Sequence, residues 1–313
     1  MIKKLVLIIL MLCLFIPFIG IKEVKGTLTG VSALPLTSGT HNTVGDNTAG
    51  NTGTSWNLTI NFNNTSPLLQ INDIIIITFP SGFDFDSANV PNPSCSGTLG
   101  ATIVSKNDNI IQVKITSAQS AGDSGVIIWK QDPPTYNNPI TNVKNTTKAG
   151  NLTINVKVKR GVSFIINING EVKVIPDLIN RIVVTPNPYY TVVGDIKNFI
   201  AESFDVYGNK RTRVFSTYGW EDKFDWSKSP IPDPDPGDVI LTPPYSNVDN
   251  VTIQTTDWGH IQLKAEFPPG GAYTHYGTAD IYIISQISTP KVDVDPPYAG
   301  SVAEYNIRFN LGP

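Results

Sequence analysis

The sequence predicts an all-β fold of tandem antiparallel β-sandwiches, and three observations carry that prediction. The first is composition. The 313 residues include 28 Asn, 30 Thr, 25 Gly and 24 Pro, all of them poor helix formers. At 40% hydrophobic residues the chain still has enough apolar content to fold. The second is period two. Trp56, Leu58, Ile60 and Phe62 alternate with Asn57, Thr59, Asn61 and Asn63, the mark of a strand with one dry and one wet face. The third is recurrent turn chemistry, as at Pro80-Ser81-Gly82, Tyr207-Gly208-Asn209 and Pro269-Gly270-Gly271. No window has helical periodicity.

Residues 1–26 read as a secretory signal peptide. Lys3 and Lys4 precede the apolar run Leu5 to Ile19, and Val24-Lys25-Gly26 offers a cleavage site. The run contains Pro17 and is shorter than the ~20 residues a membrane span needs. Without the leader, 19 basic and 25 acidic residues remain, a net charge of −6. No basic field for nucleic acid exists. Cys95 is then the one cysteine left, so no disulfide forms within the chain. It reads as a passive small side chain rather than a reactive thiol, since no His or Lys stands near it.

After the first alternating strand, Asp73 to Phe79 (Asp-Ile-Ile-Ile-Ile-Thr-Phe) reads as a strand covered on both faces. Leu152, Ile154, Val156 and Val158 alternate with polar partners, and so do Ile261, Leu263, Ala265 and Phe267. Further strands are expected at 101–104, 110–115, 125–129, 163–168, 181–185, 197–204, 238–241, 250–254 and 279–285. Two stretches read as long loops: Thr37 to Ser55, and Ser227 to Asp238, an exposed connection with four alternating prolines. These signals divide the chain into a leader (1–26), a sandwich module (27–175), a second sandwich (176–288) and the incomplete start of a further module (289–313). The last reading rests on an internal repeat. Val31, Pro35, Gly39, Ile60, Phe62 and Asn63 match Val292, Pro296, Gly300, Ile307, Phe309 and Asn310.

Residues 182–285 resemble a bacterial immunoglobulin-like domain of surface proteins and intimin-type adhesins. The carrying residues are Ile182-Val183-Val184-Thr185-Pro186, Val193-Gly194-Asp195, Phe199 with Ala201, and Asp205-Val206-Tyr207-Gly208-Asn209. Asp225-Trp226-Ser227, Ile261 to Phe267, Ala279 and Ile281 follow. The resemblance implies an immunoglobulin-like sandwich with Trp226 in its core. Residues 27–175 are similar to a module repeated in bacterial and archaeal S-layer-like cell-surface proteins, through Asn72 to Phe83, Ile140-Thr141-Asn142 and Lys148 to Thr153. That family has Pro where this chain has Val143. The resemblance implies a spacer, lattice part or adhesive unit, with no catalytic residue to transfer.

No phosphate loop, nucleophile elbow or His-Glu-x-x-His is present. His41, His260 and His275 lack metal-ligand spacing and read as solvated. Asp84 with Asp86, and Asp233, Asp235 and Asp238, are oxygen-rich loops. Each is weighed as a Ca²⁺ site against plain solvated charge. Tyr218, Trp220, Phe224 and Trp226 fall on one strand face. Tyr218 and Trp220 are the candidates for stacking on sugar rings, against a core reading. Asn57, Asn63, Asn64, Asn145, Asn151 and Asn250 stand in Asn-x-Ser/Thr sequons.

The sequence therefore predicts a non-enzymatic, exported cell-surface protein, structural or adhesive, located outside the cell and without a cofactor. Its expected partners are other surface proteins or polysaccharide, and it is expected to continue into further modules. The alternative is a carbohydrate-binding accessory region of a secreted polysaccharide-active protein. A secreted hydrolase is a third reading, which needs His260 or His275 to meet two carboxylates.

Overall fold

A computed structural model describes residues 28–39, 43–62, 68–131, 139–211, 222–231, 237–270 and 274–285. The leader, His41, Tyr218, Trp220, Asp233, Asp235 and residues 289–313 lie outside the described residues. Among the described residues every regular element is a strand, and no helix is long and apolar enough to cross a membrane. One compact unit reaches Ile175, and a second begins at Pro176.

The first unit contains β1 (Leu28–Pro35), β2 (Thr54–Phe62), β3 (Ile74–Thr78), β4 (Ser94–Cys95), β5 (Gly100–Asn107) and β6 (Ile110–Ser117). They are followed by β7 (Val126–Trp129), β8 (Ile140–Val143), β9 (Gly150–Arg160) and β10 (Ser163–Val174). They join in one sheet in the order β4-β7-β2-β1-β10-β9-β3-β6-β5, with β8 beside β2. Ile60 on β2 and Ile77 on β3 lie far apart in that order, yet both belong to one core. The sheet therefore folds over on itself and encloses its apolar faces. The seam is the parallel pair β1–β10, with Ser32 opposite Glu171 and Ala33 opposite Val172. A Cβ placed on Gly170 would meet the Val31 Cβ at 2.4 Å, so glycine is what lets the first strand approach the last.

The period-two strand β2 buries Trp56, Leu58, Ile60 and Phe62. Each such side chain contributes ~1.5–3 kcal/mol. The β3 expectation needs correction. Ile75 and Ile77 are buried, but Ile74 and Ile76 are only half-buried. Ile74 stands between Lys114 and Lys159 in register, and Ile76 has Lys157 beside it. Lysine stems can cover apolar surface while their ammonium heads stay in water. At the start of β3, Asp73 receives both Nε (2.9 Å) and Nη2 (2.7 Å) of Arg160.

The second unit contains β11 (Ile179–Thr185), β12 (Tyr189–Val192), β13 (Ile196–Asp205), β14 (Asp225–Pro230), β15 (Asp238–Thr242), β16 (Asn250–Asp257), β17 (Gly259–Phe267) and β18 (His275–Ile284). Two four-stranded sheets, β11-β13-β16-β15 and β12-β18-β17-β14, form a sandwich. Phe199, Ala201, Val251 and Ile253 face Ile261, Leu263, Ala265 and Ile281 across its core. Trp226 is 4% exposed and Phe224 is fully buried. Ser227 to Pro230 belong to β14, paired with β17, rather than to an exposed loop. Proline is tolerated there because β14 is an edge strand.

The first strands of this unit run alongside the last in the same direction. A Cβ on Gly277 would lie 2.7 Å from the Ile182 carbonyl oxygen. Further along, the Asn187 side chain bonds both the Thr278 carbonyl (3.0 Å) and the Asp280 amide (3.0 Å). Tyr189 to Val192 then pair in parallel with Ile281 to Ile284. The chain enters this unit at the His275 end of β18 and leaves at the opposite end.

Candidate functional site

The long loop expected between Thr37 and Ser55 folds back onto the unit. Asn47, Thr48 and Ala49 are buried, and the loop folds against Ile175 through two backbone bonds of 2.8 Å. Asp46 accepts the amides of Thr37 (2.8 Å) and Ser55 (2.8 Å), so a carboxylate replaces the missing ladder. Asn145 lies beneath and is buried. Its amide donates to the carbonyls of Asp46 (2.7 Å) and Thr48 (2.8 Å), and its Oδ1 accepts Trp56 Nε1 at 3.1 Å. Trp56 in turn packs edge-on against Phe83, with ring centroids 5.9 Å apart. These bonds occupy every polar group of Asn145, so its sequon is closed in the folded unit, whereas Asn151 is exposed.

The acidic candidates among the described residues have partners within the protein. Asp84 Oδ1 accepts the Asp86 amide (2.9 Å), and Asp86 Oδ1 accepts the Asp108 amide (2.8 Å). Asp238 accepts the Lys228 ammonium (2.5 Å), whose proximity is the main reason its pKa falls below the usual carboxylate value. Among the described residues no group of three His, Cys, Asp or Glu gathers as a metal site. A polar cleft of about 210 Å³ lies between Asp84, Ser87, Asn142 and Lys144. Asp84 and Lys144 also exchange backbone bonds of 3.0 and 3.1 Å. Cys95 is half-buried, and that burial pushes its thiol pKa up to about 11.

In the second unit the Asp205-Val206-Tyr207-Gly208-Asn209 segment is a closed turn. Asp205 is buried. Its Oδ1 accepts the amides of Tyr207 (2.9 Å) and Asn209 (2.8 Å), and its Oδ2 accepts the Asp177 amide (2.9 Å). Nearby, Arg211 and Asp222 form an ion pair with both side chains fully buried. Arg211 Nε donates to Asp222 Oδ2 at 2.8 Å, and Ser203 Oγ donates to the same oxygen at 2.6 Å. Arg211 Nη1 also donates to the Asp177 carbonyl. The sequence reading missed this pair, because nothing local marks Arg211 or Asp222 as buried.

The outward face of the sheet β12-β18-β17-β14 carries an aromatic ladder. Tyr190, Tyr282 and His260 sit opposite one another on three adjacent strands. Their rings stack, Tyr190 on Tyr282 at 5.0 Å and Tyr282 on His260 at 4.2 Å, each pair 15° from parallel. His260 is therefore not a solvated histidine. Its Nε2 is buried without a hydrogen bond, 3.4 Å from Asp280 Oδ1 in a geometry that does not qualify as one. His275 lies elsewhere, with Nδ1 2.9 Å from Thr274 Oγ1. Of the four-residue aromatic row, Phe224 and Trp226 are core, while Tyr218 and Trp220 lie outside the described residues. The described groups can hold a surface or a shape.

No family model and no curated protein matches the sequence. Among solved structures, the chain is similar to domains 4 and 5 of the S-layer protein SbsC, at 17% identity and TM-score 0.24, over 45% of this chain and 68% of that one. It is similar to invasin, a bacterial integrin-binding protein, at 13% identity and TM-score 0.32, over 84% of this chain and 42% of that one. It is also similar to the ectodomain of mouse nectin-like molecule 4, at 6% identity and TM-score 0.34, over 83% of this chain and 66% of that one. This chain thus spans less than half of the invasin structure.

Proposed function

We propose that this chain is an exported, non-catalytic cell-surface component, structural or adhesive, in which the two β-sandwich units serve as spacers. The observation that carries the reading is the course of the chain through each unit. In each, a strand near the start runs parallel to the last, β1 beside β10 in the first unit and β12, the second strand, beside β18 in the second. Each unit therefore takes the chain in at one end and releases it at the other. A ten-residue strand such as β18 advances it by about 30 Å. A repeated unit with that polarity extends a chain away from its anchor. The leader pattern of residues 1–26 supports export, and the expected partners are other surface proteins or polysaccharide.

Protease treatment of intact source cells, with N-terminal sequencing of the released material, tests this. The expected result is a surface-accessible chain beginning at Thr27. A cytosolic chain that retains Leu5 to Ile19 would overturn it. The polysaccharide alternative rests on Tyr218 and Trp220. Retention of the full chain on immobilised glycans, lost in Tyr218→Ala/Trp220→Ala, would favour it over the spacer reading.

A further inference from the structure

The outward face of the β12-β18-β17-β14 sheet changes character along its length. Towards the chain entry it is polar, with Gln262, Lys264, Glu266, Thr278 and Asp280. The aromatic ring there, Tyr276, is 65% exposed and has the Lys264 ammonium 4.7 Å from its centroid. Towards the chain exit the face is apolar. Tyr190 is 70% exposed, Val192 39% and Ile284 57%. Val192 stands directly opposite Ile284, and Tyr190 opposite Tyr282. The four side chains form one contiguous block, closed on its inner side by the His260 ring. Exposed large apolar groups scattered singly need no explanation, but a contiguous block does.

We propose that this block is the docking surface for the segment of this chain that follows it, residues 286–313. The geometry of the exit carries the choice of occupant. The block includes Ile284, and the next residues of the chain leave from its margin. The segment holds an apolar alternation, Tyr305, Ile307 and Phe309, with Asn306 and Arg308 between them. In a strand those three share one side. Twenty residues, 285–304, join this alternation to the block. Such a stretch reaches up to roughly 65 Å when extended, so it imposes no strain. The tether gives the segment an effective concentration of the order of millimolar, which favours it over a free partner of equal affinity. The proposal does not depend on the spacer reading.

Hydroxyl-radical footprinting of the intact chain tests it by reading side-chain solvent access from both sides. Tyr305 and Phe309 should be labelled at least about threefold more slowly in the unmodified chain than in Val192→Asp/Ile284→Asp. Tyr190 should be labelled more slowly by a similar factor than in Ile307→Asp/Phe309→Asp. Protection should not change with protein concentration. The second variant changes only the segment and leaves the block itself intact, so it decides the matter even if the first fails to fold. Equal labelling of Tyr190 with and without Ile307 and Phe309 would overturn the proposal. Protection that rises with concentration would also overturn it, by showing that a second copy covers the block.

Discussion

Replacing Asp222 with Ala tests how much the second unit depends on its buried ion pair. The substitution removes the carboxylate that accepts Arg211 Nε at 2.8 Å and Ser203 Oγ at 2.6 Å. The guanidinium stays fully buried after losing the Asp222 carboxylate. Losing two hydrogen bonds to a charged group costs about 1.5–3 kcal/mol each. Breaking a buried pair from one side costs about 3–5 kcal/mol. The two routes agree on a loss near 4 kcal/mol, a large share of the ~5–15 kcal/mol that holds a domain. A unit of this size then melts roughly 15–30 °C lower. Replacing both partners with apolar residues, Arg211→Met/Asp222→Leu, leaves no orphan charge and should stay within about 2 kcal/mol of the parent. Urea unfolding of the full chain, followed by tryptophan fluorescence, measures each variant. A loss below about 1 kcal/mol in Asp222→Ala would falsify the account and place the pair in water. A double variant as unstable as the single one would show that packing around Arg211, not charge, is what matters.

Gly277→Val should destabilise the second unit by about 2 kcal/mol or more, since its side chain meets the Ile182 backbone and cannot swing clear; thermal melting reads the loss, and an unchanged melting point refutes the close approach. Trp226→Ala should cost about 3–5 kcal/mol for the cavity it leaves, measured by the same urea transition. Cys95, with its thiol pKa at about 11, should be about a thousandth ionised at pH 8 and react with a disulfide reagent far more slowly than a free thiol; denaturant should restore the ordinary rate. The Thr191 and Tyr189 hydroxyls hold the Asp195 pKa below the usual carboxylate range, so the stability they add is present above about pH 4 and lost as pH falls through the folded value. Burial, and then its bond to Asp195, raise the Tyr189 pKa, so that contribution is present below about pH 10 and lost as pH rises. Melting temperatures between pH 2 and pH 11 should show both losses, and Asp195→Asn should flatten the acid arm.

Strands with a full period-two pattern and a buried face were legible one residue at a time, as β2, β9 and β17 illustrate. The strands missed are those whose case is made by a distant partner. In β1 the pattern is interrupted by Gly30, and β1 is fixed by pairing with β2 and β10. In β12 four residues follow Pro186 and Pro188 and become a strand because β18 lies beside them. The same holds for the sites. Asn145 stands in one sequon among six, and nothing local reveals that the 45–49 loop folds over it. Tyr190, Tyr282 and His260 are scattered in sequence, and only the register of three strands stacks them. Trp226 was legible because a large aromatic beside an alternating strand has few stable places outside a core. Asp84 and Asp86 show why acidic loops are hard to read from sequence: carboxylates that suit a cation equally suit backbone amides, and local amides are always at hand.

The parallel seam of each unit also bears on how it meets tension. If the two ends of the second unit are drawn apart, β12 and β18 are pulled in opposite directions along their own axes. The slanted bonds between them are then sheared together and cannot open one at a time. Resistance of this kind is a matter of unfolding rate, not of equilibrium stability. Four residue pairs, Tyr189 to Val192 against Ile281 to Ile284, share the load in the second unit. In the first, the seam offers two, Ser32 with Glu171 and Ala33 with Val172. The first unit's seam, two pairs against four, is thus the shorter of the two and has fewer bonds to shear.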